Sequence, residues 1–120
     1  MEAKILVKEI CLTALSVQDG EKVQQKISEL LKKNYHKIIL DFDGIELFAT
    51  PFFNAAIGHF VIKLTPDKFL SIINCINLSE LGQETYKYSY DNAVLVCKNK
   101  MSDQDKEEIT TIIENNILNS

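Results

Sequence analysis

Lys37-Ile-Ile-Leu-Asp-Phe-Asp-Gly-Ile-Glu-Leu-Phe-Ala-Thr-Pro-Phe-Phe-Asn-Ala-Ala-Ile-Gly58 is the stretch whose reading decides the fold. Its first residues, Ile38 to Leu40, are apolar and do not alternate with polar ones, which predicts a strand covered on both faces. Asp41 and Asp43 bracket the exit from that strand, and Gly44 allows a turn. Pro51 suits the first position of a helix, where its missing N–H is not needed. Thr50, just before it, is a natural N-cap. A strand, an acidic turn and a helix start in succession build either an anion site or a docking surface.

Alternating elements extend outward from this stretch. The β-branched run from Ala3 to Leu15 predicts one long strand or two short ones. Ser16 to Gly20 reads as a turn, with Ser16 or Asp19 as cap of a helix over 21–34. Val23, Ile27, Leu30 and Leu31 form that helix's apolar stripe. Pro51 to Leu64 is a second helix, dense in apolar residues. Ala55, Ala56 and Gly58 are small enough for a close approach to a neighbouring sheet. Phe52 and Phe53 either bury against that sheet or form a hydrophobic contact surface. Thr65-Pro66-Asp67 ends the helix. Phe69 to Cys75 reads as another buried strand. Asn77 or Ser79 caps a third helix, which passes Tyr86 and Tyr90. Ala93 to Cys97 fits a strand by local propensity. Lys98-Asn-Lys100 is a break, and Ser102 caps a last helix over 101–118, with Ile109, Ile112, Ile113 and Ile117 as its stripe. Strands alternating with amphipathic helices indicate a mixed or parallel sheet with crossover helices, an α/β fold.

The chain has 120 residues, which fits a single domain spanning 1–120. Its formal net charge of −4 argues against a general nucleic-acid binder. No apolar run approaches the roughly 20 residues that span a bilayer, so no membrane segment is expected. No signal peptide is evident at Met1-Glu-Ala-Lys4, which points to a cytoplasmic protein. Cys11, Cys75 and Cys97 are odd in number and far apart, so free buried thiols are expected, and neither CxxC nor Cys/His metal-ligand spacing occurs. Phosphate loops and the common hydrolase and metalloprotease signatures do not occur either, so no cofactor and no metal are expected. Asp41 and Asp43 lie two apart at the C-terminal end of a central strand, the edge where α/β sheets bind ligands. They suit a metal or a general base; alternatively, Asp41 accepts turn amides and Asp43 is solvated.

The stretch also carries a family resemblance. Gln18-Asp-Gly-Glu-Lys22, Asp41-Phe-Asp-Gly-Ile45 and Ala49-Thr-Pro-Phe-Phe-Asn-Ala-Ala-Ile-Gly58 resemble, in order and spacing, the motifs of bacterial STAS-like domains of unknown function. Those domains are related to the STAS domains of anti-sigma factor antagonists. The resemblance covers roughly residues 5–92. It implies a STAS-like mixed sheet of about four strands packed against helices, with residues 101–118 as an additional C-terminal helix, and it favours helix over strand at Ala93 to Cys97. It implies a non-enzymatic module of regulation and signalling by partner switching. The binding residues would be Asp43, Gly44, Thr50, Pro51, Phe52, Phe53 and Asn54, and the partner a protein such as a histidine-kinase-like ATPase. One departure is chemical. The serine that receives phosphate in the antagonists falls on Pro51, which has no hydroxyl, so Thr50 is the remaining candidate phosphoacceptor. Two other readings stand beside this one: a small ligand- or metal-binding domain or enzyme using Asp41 and Asp43, and a homo-oligomeric structural subunit.

Overall fold

The computed structural model describes residues 2–118, with side-chain surroundings for residues 2–99. Three strands form the sheet: β1 (Glu2–Leu6), β2 (Lys37–Asp41) and β3 (Ile73–Ile76). Both pairings are parallel and the strand order follows the chain, β1-β2-β3. Between β1 and β2 runs α1 (Val17–Lys32). Between β2 and β3 run α2 (Thr50–Phe53), a π-helical segment (Asn54–Gly58), α3 (His59–Leu64) and α4 (Pro66–Ile72). The chain ends in α5 (Glu80–Leu118).

The α/β class and the crossover helices match expectation; the sheet is smaller and simpler. It is wholly parallel, with three strands rather than about four. Of the one long strand or two short ones expected over 3–15, a single short strand forms and stops at Leu6, because Val7–Glu9 tightens into a 3-10 turn whose Val7 carbonyl accepts the N–H groups of Ile10 and Cys11 at 2.9 and 3.0 Å. What remains of a fourth strand is an isolated bridge between Ala14 and Phe48. The Ala14 N–H donates to the Leu47 carbonyl at 2.9 Å and the Ala49 N–H to the Ala14 carbonyl at 2.8 Å.

β2 is not covered on both faces. Crossovers wound in one sense place their helices on one side of a sheet. Ile5, Ile38, Leu40 and Ile73 are buried beneath the helices. On the other face Glu2, Lys4 and Asn74 are exposed and Ile39 is half-buried.

The turn expected over 16–20 belongs to α1. Ser16 caps the helix, its Oγ accepting the Asp19 N–H at 3.1 Å. Gly20 lies inside the helix for a steric reason: a Cβ there would stand 2.4 Å from the Phe52 carbonyl oxygen and 2.8 Å from the Ala55 Cβ. Ala55 and Ala56 therefore serve a helix–helix approach to α1 rather than one to the sheet. Phe69 to Ile72 is helical, not strand. Pro66 begins α4, Asp67 sits in its positive first turn, and the Phe69 N–H reaches the Thr65 carbonyl at 2.9 Å. The apolar run alone fits either state.

Finally, α5 is one helix of 39 residues without the expected break at 98–100. Ala93 to Cys97 is helical, as the resemblance implied. Ser79 caps α5, its Oγ accepting the Gly82 N–H at 3.1 Å. The side chains of Ser102, Ile109, Ile112, Ile113 and Ile117 lie outside the described residues. Among the described residues no helix is long and apolar enough to cross a membrane.

Candidate functional site

The site is built from the C-terminal end of β2. Phe42 points into the core, and its N–H donates to the Ile76 carbonyl at 3.0 Å, tying the strand exit to β3. The chain then reverses over Phe42 to Ile45, the Ile45 N–H returning to the Phe42 carbonyl at 3.0 Å. Gly44 makes this turn possible, since its φ of +88° lies where a side chain would be strained.

Asp41 anchors the turn. Its Oδ1 accepts the Asp43 N–H and the Asn77 side-chain amide, each at 2.9 Å, and its Oδ2 lies 3.3 Å from the Lys4 ammonium. Asn77 reaches back because it leaves β3 with a left-handed φ of +59°. The Asn77 amide, then the Asp43 N–H, hold the Asp41 carboxyl below the usual carboxylate range; Lys4 adds to this and burial opposes it. Asp41 thus performs the turn-anchoring role open to it on sequence, while Asp43 faces solvent. Among the described residues, no group of three or more His, Cys, Asp or Glu side chains comes together around them. Lys4 and Asn77 complete the cluster and were not legible, because each lies over 30 positions from Asp41 in the chain.

The helix start differs from expectation in one detail. Ala49, extended at φ −148° and ψ 151°, is the N-cap, and no side chain caps this end. Thr50 is already the first helical residue and Pro51 the second. The Thr50 hydroxyl therefore does not serve as the N-cap; its residue is half-buried, and its carbonyl accepts the hydroxyl of buried Ser89 at 3.3 Å.

Phe52 and Phe53 are both 0% exposed, which removes them from any contact surface of the folded chain. Phe53 lies edge-on to Tyr86 at 5.8 Å and stacks on Phe48 at 6.0 Å, and Phe52 meets Phe53 edge-on at 5.3 Å. Two neighbours on a helix normally differ in burial. Here the helical stretch lies under α1 on one side and α5 on another, so both rings are enclosed.

Asp43, Gly44, Pro51 and Asn54 remain exposed, with Glu46 between them. They are joined by residues that sequence reasoning missed. Leu47 is 53% exposed, and across the Ala14–Phe48 bridge Leu15 is 40% exposed. Alternation about a bridge turns Ala14 and Phe48 inward and their neighbours outward. The available signal was an apolar residue on each side of a short extended pair. The resulting surface is apolar at Leu15 and Leu47 and acidic at Asp43 and Glu46. Past Asn54, a groove of about 520 Å³ runs between the π-segment and α5, lined by Gly58, His59, Ile62, Asn92, Ala93 and Val96.

A family model described as a STAS-like domain of unknown function (DUF4325) matches residues 19–83, which takes in α1, the turn, the helix start and β3. No curated protein and no solved structure matches the chain.

Proposed function

The chain belongs to the family of STAS-like domains of unknown function, and from that premise we propose that it is a non-enzymatic regulatory module that binds a protein partner through residues 43–54. The observation that carries this reading is Leu47, held 53% exposed between acidic Glu46 and the buried Phe48 at the mouth of a helix start. Leu15, exposed across the Ala14–Phe48 bridge, extends Leu47 into an apolar patch rimmed by Asp43 and Glu46, and a patch with a polar rim is the signature of an interaction surface. The partner favoured by the resemblance to anti-sigma factor antagonists is a histidine-kinase-like ATPase. Pro51 in place of the phosphoacceptor makes binding either constitutive or dependent on Thr50. A phosphate on Thr50 would sit in the first, positive turn of the helix and next to the acidic turn, so it would change the surface charge where the partner docks.

Asp41 supports the non-enzymatic reading in its own way. Its bonds to the Asp43 N–H, the Asn77 amide and the Lys4 ammonium give it a turn-anchoring role, and its lowered titration suits a permanent acceptor better than a base that must take up a proton near neutral pH.

The test is capture of partners by the tagged full chain from its own cells, with and without ATP. Recovered proteins are identified by mass spectrometry and the interaction is rebuilt from purified components. Recovery of an ATPase that is lost with Leu47→Asp and retained with Leu70→Asp, an exposed control on α4, is the expected result. Equal capture by Leu47→Asp would move the interface elsewhere. No capture by a well-folded chain would overturn the reading.

A further inference from the structure

The helix α5 is apolar on two sides. Gly82, Ser89, Ala93 and Cys97 are buried against the domain. Leu81, Tyr88 and Leu95 are 51%, 62% and 57% exposed, and they follow one another at seven-residue intervals. Residues seven apart on an α-helix return to within about 20° of each other, so the three form one row along the outer face. A helix with apolar rows on both sides is suited to burial on both. A straight row with this repeat matches the groove of another helix lying nearly along it.

We propose that this face is the interface of a homodimer, in which α5 of a second copy lies antiparallel across it. The flanking charges select both occupant and direction. Glu80, Glu84, Lys87, Asp91 and Lys98 are all exposed on the solvent side of the row. Antiparallel self-pairing centred on Tyr88 sets Leu81 against Leu95 of the second copy and Tyr88 against Tyr88. The same alignment brings Lys87 beside Asp91 of the second copy, and Glu80 beside Lys98, each contact occurring twice by symmetry; Glu84 comes level with Asp91 of the second copy, so each Lys87 serves two carboxylates. Parallel pairing would instead set this charged flank against the opposite flank of the second helix, which carries Thr85, Asn92 and Val96, and would form none of these ion pairs. This interface goes beyond the partner-binding role of residues 43–54 and does not depend on it.

Sedimentation equilibrium of the full chain over a range of concentrations tests the proposal, with circular dichroism confirming the fold of each variant. A reversible dimer is expected. Leu95→Glu should weaken it by at least about tenfold, since it buries a charge in the row. Lys87→Asp should weaken it too, and Lys87→Asp combined with Asp91→Lys should restore it. A monomer at every concentration overturns the proposal and leaves the row to another occupant. A dimer indifferent to Leu95→Glu overturns it as well. A double swap as weak as Lys87→Asp alone overturns the antiparallel alignment.

Discussion

Asp41 shows how one carboxylate sets the geometry of a turn. Its folded-state titration lies below the ordinary value, so the unfolded chain binds its proton more tightly. The stability it contributes is complete above the unfolded value and is lost as pH falls through the folded one. The melting temperature should therefore hold steady down to about pH 5 and decline below about pH 4. Asp41→Asn should melt lower at neutral pH and show a shallower acid decline. An unchanged acid slope in thermal melts of the variant would show that Asp41 is not the group responsible. Thr65 is the opposite case, a residue at odds with its backbone. Its φ of +76° and ψ of 153° fall in a region that glycine occupies freely and a β-branched residue does not. Thr65→Gly should stabilise the chain by about 1 kcal/mol in urea denaturation, after allowing for glycine's larger unfolded entropy. Each feature is legible only in part: Asp41-Phe-Asp-Gly advertises a turn that Asp41 can anchor but not the distant Lys4 and Asn77, and Thr-Pro advertises a break but not its φ.

Among the elements, those with a strong period were the readable ones. Val23 and Ile27 on α1 are buried as their spacing requires, and Leu30 and Leu31 pack at the margin. The start of α1 was misread because Gly20 looks like punctuation, whereas it permits contact with the Phe52 carbonyl. Gly20→Ala should thus destabilise by about 1–3 kcal/mol despite alanine's better helix propensity, because the added methyl must push a backbone aside. Thermal and urea unfolding measure it, and a stabilised variant would show that the two helices can separate freely. The second helical stretch was placed correctly in sequence, yet its burial was ambiguous because apolar residues occur on every side of it. Phe53 touches Phe42, Phe48, Phe52 and Tyr86, so Phe53→Ala should cost about 3–5 kcal/mol. An exposed Phe53 would cost far less. Of the expected binding residues, Asp43, Gly44, Pro51 and Asn54 reached the surface, Thr50 is half-buried and the two phenylalanines are enclosed.

At the scale of the molecule, the expected free thiols are present at Cys11, Cys75 and Cys97. Burial pushes the Cys75 thiol up to about 12. Burial, followed by the nearby Asp19 charge, raises Cys11 as well. The reactive thiolate is therefore scarce at both near neutral pH. Ellman titration of the native protein at pH 7.5 should label these two far more slowly than the unfolded chain; fast labelling of Cys75 would mean that β3 opens readily. The one-sided sheet was hidden in sequence because β2 carries three consecutive apolar residues, and the half-exposure of Ile39 follows from its neighbours on β1 and β3.

The hydroxyl of Ser89 on α5 holds the carbonyl of Thr50 at the first residue of α2. That contact is a physical route between the two sites. A change in the seat of α5 that breaks it would alter the free energy of an event at Thr50, and an event at Thr50 that breaks it would alter the seat of α5 by the same amount. A cycle measured from either end must then give one coupling energy.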